Sequence, residues 1–234
     1  MSLRVVQFRY GSTNLAYLVC GRSEAAAVDG GAVPEILQTL DEEDLKLTLV
    51  LNTHTHSDHT CGNRRLLEAT GASYIPMDDL VNRGSLGLDG REIDVIPTPG
   101  HTRDSVCLKT GDFLLAGDTL FCGRVGRCFS GDADGFYRSI RRIDSLPSRT
   151  VVCGGHDYVE EYMDFAAMVE PDNPNIEGYL QRYDPRRVMA ALGREREVDP
   201  FLRLEEPSVI SFLRRKRLPA RMPTDRFRSL LGLM

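Results

Sequence analysis

All five histidines of this 234-residue chain lie in short, loop-like motifs. They are His54, His56, His59, His101 and His156. The first three share an H-x-H-x-D-H run at 54–59, and each of the other two directly follows a glycine. Neutral imidazole is a common metal ligand, and carboxylates complete many metal sites. A chain that uses every imidazole in this way is predicted to fold around a metal centre.

The spacing within the run predicts ligands for two metal ions. Residues two apart in an extended loop point to the same side, so His54 and His56 can share one ion. Asp58 and His59 lie just beyond and can turn toward a second ion. The two remaining histidines can complete the two sets. A bridging carboxylate would hold the ions about 3.5–4 Å apart, and Asp118 is the candidate, although Gly-Asp-Thr is also a common turn.

Short strands and helices alternate through the first two thirds of the chain. Apolar runs and turn residues predict strands at 3–8, 14–19, 25–28, 47–51, 93–96, 106–109, 113–116 and 150–153. Helices are predicted at 32–40, 60–69 and 136–146. The histidine motifs follow predicted strands, where α/β folds place their chemistry. Two similar halves of this kind predict an α/β fold, specifically an αββα sandwich.

The pattern changes to short helices near residue 160. Candidates lie at 159–169, 176–183, 186–192, 208–217 and 224–231. We therefore predict a metal-binding catalytic domain at 1–159 and a small helical appendage at 160–234. Residues 185–234 hold 12 basic and 6 acidic residues, although the whole chain has a net charge of -5. Such a tail either meets an anion or presents a solvated helix face, and a charge run by itself favours the second explanation.

Composition argues against several classes of protein. The net negative charge gives no reason to expect nucleic acid as a partner. The sequence has no apolar run of 18 residues, so no membrane partner is expected. Six cysteines without a C-x-x-C pair, and no stretch resembling a signal peptide, favour reduced thiols in the cytoplasm. We expect a cytoplasmic monomer or weak oligomer.

The motifs together resemble the metallo-β-lactamase superfamily. They are Thr53–His59, Pro99–Thr102, Gly117–Thr119 and Gly155-His156. More narrowly, the chain resembles glyoxalase II, the hydroxyacylglutathione hydrolases. That narrower match rests on Asp118–Phe121 with Gly126-Arg127, Gly155–Tyr158, Val169–Pro171 and Asp199–Arg203. The resemblance covers residues from about 50 to 217, including the tail.

The resemblance implies a ligand set and a substrate-binding set. His54, His56 and His101 would bind one divalent ion; Asp58, His59 and His156 would bind the other; Asp118 would bridge them. Zinc is the expected metal, with iron or manganese as alternatives. Glutathione would be held by Arg127, Tyr158, Arg214 and Arg217, so that the tail binds substrate. Arg127 stands where the family more often has Lys, and Phe129 where it often has Tyr, which leaves the identity of the thiol open.

The reaction expected from the resemblance is hydrolysis of a small-molecule glutathione thioester. Hydroxide formed between the two ions would attack the thioester carbonyl, with Asp58 and Asp118 as the catalytic carboxylates. The main alternative is a persulfide dioxygenase with one iron held by His54, His101 and Asp118. A di-iron oxygen-reducing module and a structural metal domain are further alternatives. The former typically has Glu at the position of His56, and the latter usually closes its site with four Cys or His ligands.

Overall fold

Two β-sheets form the centre of the computed structural model, which describes residues 3–234. The first sheet contains β1 (Arg4–Tyr10), β2 (Asn14–Cys20), β3 (Glu24–Val28), β4 (Lys46–Leu51) and β5 (Ser73–Tyr74) in that order. The second contains, in spatial order, β11 (Ala190–Ala191), β10 (Val151–Gly154), β9 (Phe113–Gly117), β8 (Val106–Thr110), β7 (Arg91–Pro97) and β6 (Ser85–Leu88). Most neighbouring strands are antiparallel, but β3, β4 and β5 are parallel, as are β9 and β10.

Ten helices flank the sheets within these residues. They are α1 (Val33–Glu42), α2 (Ser57–Thr60), α3 (Asn63–Thr70), α4 (Met77–Arg83), α5 (Ala133–Asp144), α6 (Val159–Val169), α7 (Asn175–Leu180), α8 (Leu192–Val198), α9 (Pro207–Arg215) and α10 (Pro223–Leu231). None of the helices among residues 3–234 combines the length and apolar content needed to cross a membrane.

Alternate residues of each central strand pack into different layers. In β2, the inward-facing residues are Leu15, Tyr17 and Val19, which share the layer between the sheets with residues of the second sheet. The outward-facing ones are Ala16, Leu18 and Cys20, which pack on α1 and α3. In β9, Leu115 faces inward while Leu114 and Ala116 face α5 and the tail helices. The predicted αββα sandwich is therefore confirmed.

The tail also adds a strand to the second sheet, and the helix predicted at 186–192 is wrong. The segment 186–192 was expected to be helical, but Ala190–Ala191 is a strand that pairs with Val151 and Val152 of β10. Alanine favours helix locally, but the unpaired edge of β10 offers backbone hydrogen bonds that override this weak preference. The helix begins only at Leu192. The division at residue 159 stays a prediction.

Residues 73–88 were assigned no structure from sequence, although they form β5, α4 and β6. These elements are short, and Gly84 in left-handed conformation separates the last two, so periodicity has little length over which to appear. Their apolar residues, among them Leu80 and Leu86, close one end of the layer between the sheets.

Strand ends bring the histidine motifs to one edge of the sandwich. The 52–59 loop follows β4, and the loop before His101 follows β7. Asp118 and His156 follow β9 and β10, which are parallel neighbours with Gly117 opposite Gly154. The carboxyl ends of parallel neighbours lie at the same edge, so these side chains are placed side by side.

Glu195 of α8 is a fully buried acid that joins the tail to the loop after Asp118. Its carboxylate accepts hydrogen bonds from the Gly123 N–H at 2.6 Å and the Tyr179 hydroxyl at 2.6 Å. Burial outweighs these two bonds and raises the pKa of Glu195 to about 7. The folded chain therefore binds this proton more tightly than the unfolded chain.

We expect Glu195→Gln to flatten the pH dependence of stability. An unfolded Glu titrates near about 4.3, so the wild-type free energy of unfolding should fall as pH rises from about 4.3 to 7, by about 3 kcal/mol for this group. Glutamine cannot ionise, so the variant should lack that part of the fall. Urea unfolding at pH 5 to 8 measures it, and Glu197→Gln on the same helix is the matched control. Equal pH dependence in wild type and Glu195→Gln would contradict the prediction.

Candidate metal centre

The seven predicted ligand side chains lie in one cluster at the edge of the sandwich. Their nitrogen and oxygen atoms form three overlapping groups, each with its members within 4.8 Å of one another. The groups are His54, His56 and His101; Asp58, His59 and His156; and His54, His59 and Asp118. The three histidine motifs are each more than 40 residues apart in sequence, so the fold creates this proximity.

The first group consists of histidines alone. The His54 Nε2 lies 3.0 Å from the His56 Nδ1, and the His101 Nε2 lies 3.1 Å from the same atom. Three ring nitrogens that lie this close to one another can bind a single cation.

The second group combines one carboxylate with two imidazoles. The Asp58 Oδ2 lies 3.4 Å from the His156 Nε2 and 3.8 Å from the His59 Nε2. This mixed set suits a second divalent cation, because carboxylate oxygen and imidazole nitrogen are both ligands of zinc, iron and manganese.

Asp118 lies between the two groups. Its Oδ2 is 3.5 Å from the His101 Nε2 and 3.5 Å from the His156 Nε2, and its Oδ1 is 3.3 Å from the His59 Nε2. Gly117 precedes it with φ of +49°, and a Cβ there would lie 2.2 Å from the Thr53 Oγ1. Glycine at 117 therefore lets Asp118 reach the midpoint of the cluster.

Four of the five imidazole rings make a polar contact through the ring nitrogen that faces away from the cluster. The Nδ1 atom of His54 contacts the Thr53 hydroxyl, and that of His59 contacts the Asp29 carboxylate. The Nδ1 atom of His101 contacts the Arg127 carbonyl, and that of His156 contacts the Thr13 hydroxyl. Such contacts fix the ring orientation and leave the Nε2 atom facing the cluster. His56 differs, since it presents its Nδ1.

Asp29 is a structural centre for the histidine loop. It is buried, and its carboxylate accepts from the Thr53 N–H at 2.9 Å, the Thr53 hydroxyl at 2.6 Å and the His59 Nδ1 at 2.9 Å. Its own backbone has φ of +51°. Asp29 thus holds the start of the loop through Thr53 and also orients a predicted ligand, His59.

Asp58 is the most exposed of the seven, with 46% of its side chain accessible. The Asn14 amide donates to its Oδ2 at 2.9 Å, and the Tyr10 hydroxyl donates to its carbonyl at 2.8 Å. Burial would raise the pKa of Asp58, but the charge of His59 and the bond from Asn14 outweigh it and lower that pKa. Asp58 is thus an ionised, accessible acceptor.

The charge distribution of the cluster suits a cation. Burial and repulsion by His59 lower the pKa of His54 to about 4, so this ring is neutral at pH 7. Burial would also lower the pKa of His59, but the Asp29 and Asp118 carboxylates outweigh it and raise that pKa to about 11. A proton between these carboxylates is one that a divalent ion would displace.

Two buried atoms at the centre have no hydrogen-bond partner among the described residues and are placed to bind a metal ion. The His59 Nε2 and the Asp118 Oδ1 lie 3.3 Å apart, and neither meets the geometry of a hydrogen bond with any group within residues 3–234. Buried polar atoms without partners destabilise a fold, and a cation bound between them would satisfy both.

A cavity of about 310 Å³ opens beside the cluster. It is lined by His101, Asp118, Phe121, Arg124, Arg127, Phe129, Tyr158, Glu161 and Tyr162. The Tyr158 ring stacks on His156 at 5.1 Å between centroids, and Phe129, 64% exposed, contacts His101 edge-on at 5.2 Å. Two of the four residues predicted to bind substrate, Arg127 and Tyr158, therefore line the cavity.

The other two predicted substrate residues lie elsewhere. Arg214 is on α9 and Arg217 follows it, both are exposed, and neither lines this cavity. Their role in substrate binding stays a prediction. Arg124 does line the cavity and was not singled out from sequence, because its burial and its aromatic neighbours depend on the tertiary packing of α6.

Comparison with known proteins places the chain in a family. The model of the metallo-beta-lactamase superfamily matches residues 9–84 and 73–156, and the model of the hydroxyacylglutathione hydrolase C-terminus matches residues 157–231. The hydroxyacylglutathione hydrolase of Anaeromyxobacter dehalogenans is 33% identical over an alignment of 248 positions that covers 96% of both chains. The chain belongs to the hydroxyacylglutathione hydrolase family. The family member from Chromohalobacter salexigens is also 33% identical, over 204 residues and 80% of each chain.

A solved structure shares the same architecture. The crystal structure of ETHE1 from Myxococcus xanthus aligns with a TM-score of 0.66 and 25% identity, covering 98% of this chain and all of that one. The superfamily and the histidine–aspartate cluster together indicate that this hydroxyacylglutathione hydrolase family member binds divalent metal.

We expect Asp29→Asn to weaken metal binding by about 10–100-fold, a typical effect of removing a carboxylate that orients a ligand imidazole. Asparagine tolerates the positive φ, so the backbone should persist. Chelator competition followed by metal analysis measures the affinity. Asp44→Asn, another aspartate at positive φ (49°) but exposed and far from the cluster, is the matched control. Unchanged affinity in Asp29→Asn would show that His59 needs no such support.

Proposed function

We propose that the protein is a metal-dependent thioester hydrolase that cleaves S-2-hydroxyacylglutathione, such as S-D-lactoylglutathione, to a 2-hydroxy acid and glutathione. The observation that carries this proposal is the pair of ligand groups that meet at Asp118, next to a cavity lined by arginine and aromatic residues. Membership of the hydroxyacylglutathione hydrolase family supports the same reaction.

Two divalent ions fit the cluster. In this proposal one is held by His54, His56 and His101, the other by Asp58, His59 and His156, and Asp118 is shared. Zinc is the proposed metal, since it binds imidazole and carboxylate and commonly has three protein ligands in catalytic sites; iron and manganese accept the same ligands. When bound, such a pair lowers the pKa of a water toward about 7 and polarises a carbonyl.

In this proposal Asp58 orients the attacking water, and the histidines serve only as metal ligands. Asp58, ionised and accessible, accepts a hydrogen bond from the attacking water and directs a lone pair at the thioester carbon. Asn14 holds the carboxylate in that orientation at 2.9 Å. The departing thiolate has a pKa of about 8.5, so it leaves without a strong general acid. This agrees with a chain whose five histidines all belong to the ligand groups.

The thiol half of the substrate would lie in the cavity. Arg127 and Tyr158 line it, and Arg forks recognise carboxylates such as those of glutathione. Arg214 and Arg217 would act from the tail, as family resemblance implies.

A dioxygenase with a single iron remains the alternative reaction. It would need only His54, His101 and Asp118, which would leave the Asp58, His59 and His156 group without a purpose. The buried, unpartnered His59 Nε2 belongs to that second group, and it supports the two-ion site. One iron per chain, visible absorbance and oxygen uptake with glutathione persulfide would instead support the dioxygenase.

Loss of thioester absorbance on mixing metal-replete protein with S-D-lactoylglutathione tests the hydrolase directly. We expect saturable turnover that a chelator abolishes. Asp58→Ala should lower kcat by about 10²–10⁴-fold, the range typical of a group that assists proton transfer. His54→Ala should lose both turnover and bound metal. Asp94→Ala, exposed on β7, is the control. Wild-type protein with full metal content and no turnover would reject the proposal.

Arg127→Ala should raise KM more than Arg214→Ala does, because only Arg127 lines the cavity. Loss of a charge-assisted hydrogen bond corresponds to about tenfold or more in KM. Steady-state kinetics of both variants with S-D-lactoylglutathione measure this. A KM for Arg214→Ala equal to that of wild type would remove the tail arginine from the binding site.

A further inference from the structure

Arg124 is held at a fixed place beside the metal centre by a tight turn. Leu120 and Val125 form a bridge, and the Phe121 N–H donates to the Arg124 carbonyl at 2.9 Å. Gly123, with φ of +101°, donates its N–H to the buried carboxylate of Glu195. The backbone of Arg124 is thus fixed from both sides, six residues after Asp118.

The side chain of Arg124 is buried, and a single carboxylate among residues 3–234 lies within 4 Å of it. The residue is 5% exposed, and its Nε has no hydrogen-bond partner in the part of the chain that the structure describes. The nearest carboxylate is that of Glu161, 3.8 Å from a terminal nitrogen and 64% exposed. A guanidinium removed from water usually has a close carboxylate partner, because the loss of its hydration is unfavourable. Arg124 has a long ion pair instead.

Aromatic rings supply the rest of its surroundings. The guanidinium carbon lies 3.9 Å from the centroid of Tyr162 and 5.1 Å from that of Phe165. Stacking of this kind keeps the charged plane rigid but leaves its N–H edge unsatisfied. Arg124 also lines the cavity, so a molecule bound there would lie beside this guanidinium.

We propose that Arg124 binds a carboxylate of the thiol half of the substrate and makes the site selective for anionic thioesters. This inference rests on the proposed function and adds a specificity-determining residue to it. A carboxylate in the cavity would accept two N–H bonds from a guanidinium already oriented and desolvated, where charge-assisted bonds are strongest. The substrate carboxylate would replace the exposed carboxylate of Glu161 as the anion beside Arg124.

The alternative is that Arg124 only clamps α6 through Tyr162. Arg124→Met separates the two roles, because it keeps an apolar stem against the ring and removes the charge. With S-D-lactoylglutathione, KM should rise by about 10–100-fold, with kcat within about threefold of wild type. With the uncharged thioester S-D-lactoyl-N-acetylcysteamine, KM should not change. An equal effect on both thioesters, or no effect on either, would overturn the proposal.

Two further variants sharpen the result. Arg124→Lys keeps a cation but loses the fork, so its KM should lie between those of wild type and Arg124→Met. Glu161→Gln removes the competing carboxylate, so its KM for the anionic thioester should fall; a purely structural ion pair predicts no such gain. Arg64→Met, exposed on α3, controls for loss of one positive charge.

The responsible carboxylate can be identified with two modified thioesters. One carries the C-terminal amide of glutathione, and the other is built on N-acetylcysteinylglycine, which lacks the γ-glutamyl carboxylate. The thioester for which Arg124→Met no longer raises KM lacks the carboxylate that Arg124 binds. An undiminished effect with both would contradict a single carboxylate contact.

A binding measurement separates this proposal from the reaction itself. Calorimetric titration of metal-replete protein with S-hexylglutathione needs no turnover, and Arg124→Met should weaken it by about the same 10–100-fold while Arg64→Met does not. If wild-type protein hydrolyses no thioester yet shows this loss, the reaction assignment fails and the binding role stands. If turnover is normal and affinity is unchanged in Arg124→Met, the binding role fails alone.

Discussion

The hydrogen bonds of one buried carboxylate, Asp29, hold the metal centre in place. Asp29 follows β3, and through Thr53 it ties the start of the histidine loop to the end of the neighbouring strand. Through the His59 Nδ1 it also turns one imidazole toward Asp118. The first sheet and the ligand loop are therefore fixed by a single anion, whose burial is offset by these donors. His54, His101 and His156 are held by separate contacts with uncharged groups.

The sequence predicted the clustering of the histidines and aspartates better than it predicted the residues around that cluster. Histidines next to glycine and aspartate, each following an apolar run, sufficed to predict the cluster and the sandwich around it. The strand at Ala190–Ala191 could not be predicted, because its local sequence favours helix and only the edge of β10 makes it extended. Arg124 could not be recognised either, since nothing in a Gly-Arg-Val tripeptide reveals that the guanidinium will be buried against Tyr162.

The basic tail has an explanation that its composition alone could not give. Several of its arginines pair with carboxylates outside residues 185–234: Arg196 binds Asp144 at 2.8 Å, and Arg203 binds Glu170, at the end of α6, at 2.6 Å. Arg228 pairs with Asp134 at the start of α5. Arg196 and Arg203 are mostly shielded from water, where such pairs matter more than they do on an open surface. Part of the positive charge of the tail therefore pairs with carboxylates of the same chain, which reduces the need for an external anion.

The strand β11 also limits how this protein can change by recombination. It covers the edge of β10, and the adjoining α8 supplies the carboxylate that receives the Gly123 N–H. A chimera joined at residue 159 would inherit an uncovered strand edge and an unsatisfied turn beside the catalytic cavity, unless the incoming tail carried both features. The two parts of the chain are consequently constrained to evolve as a matched pair, and exchange of tails between distant relatives would not be neutral.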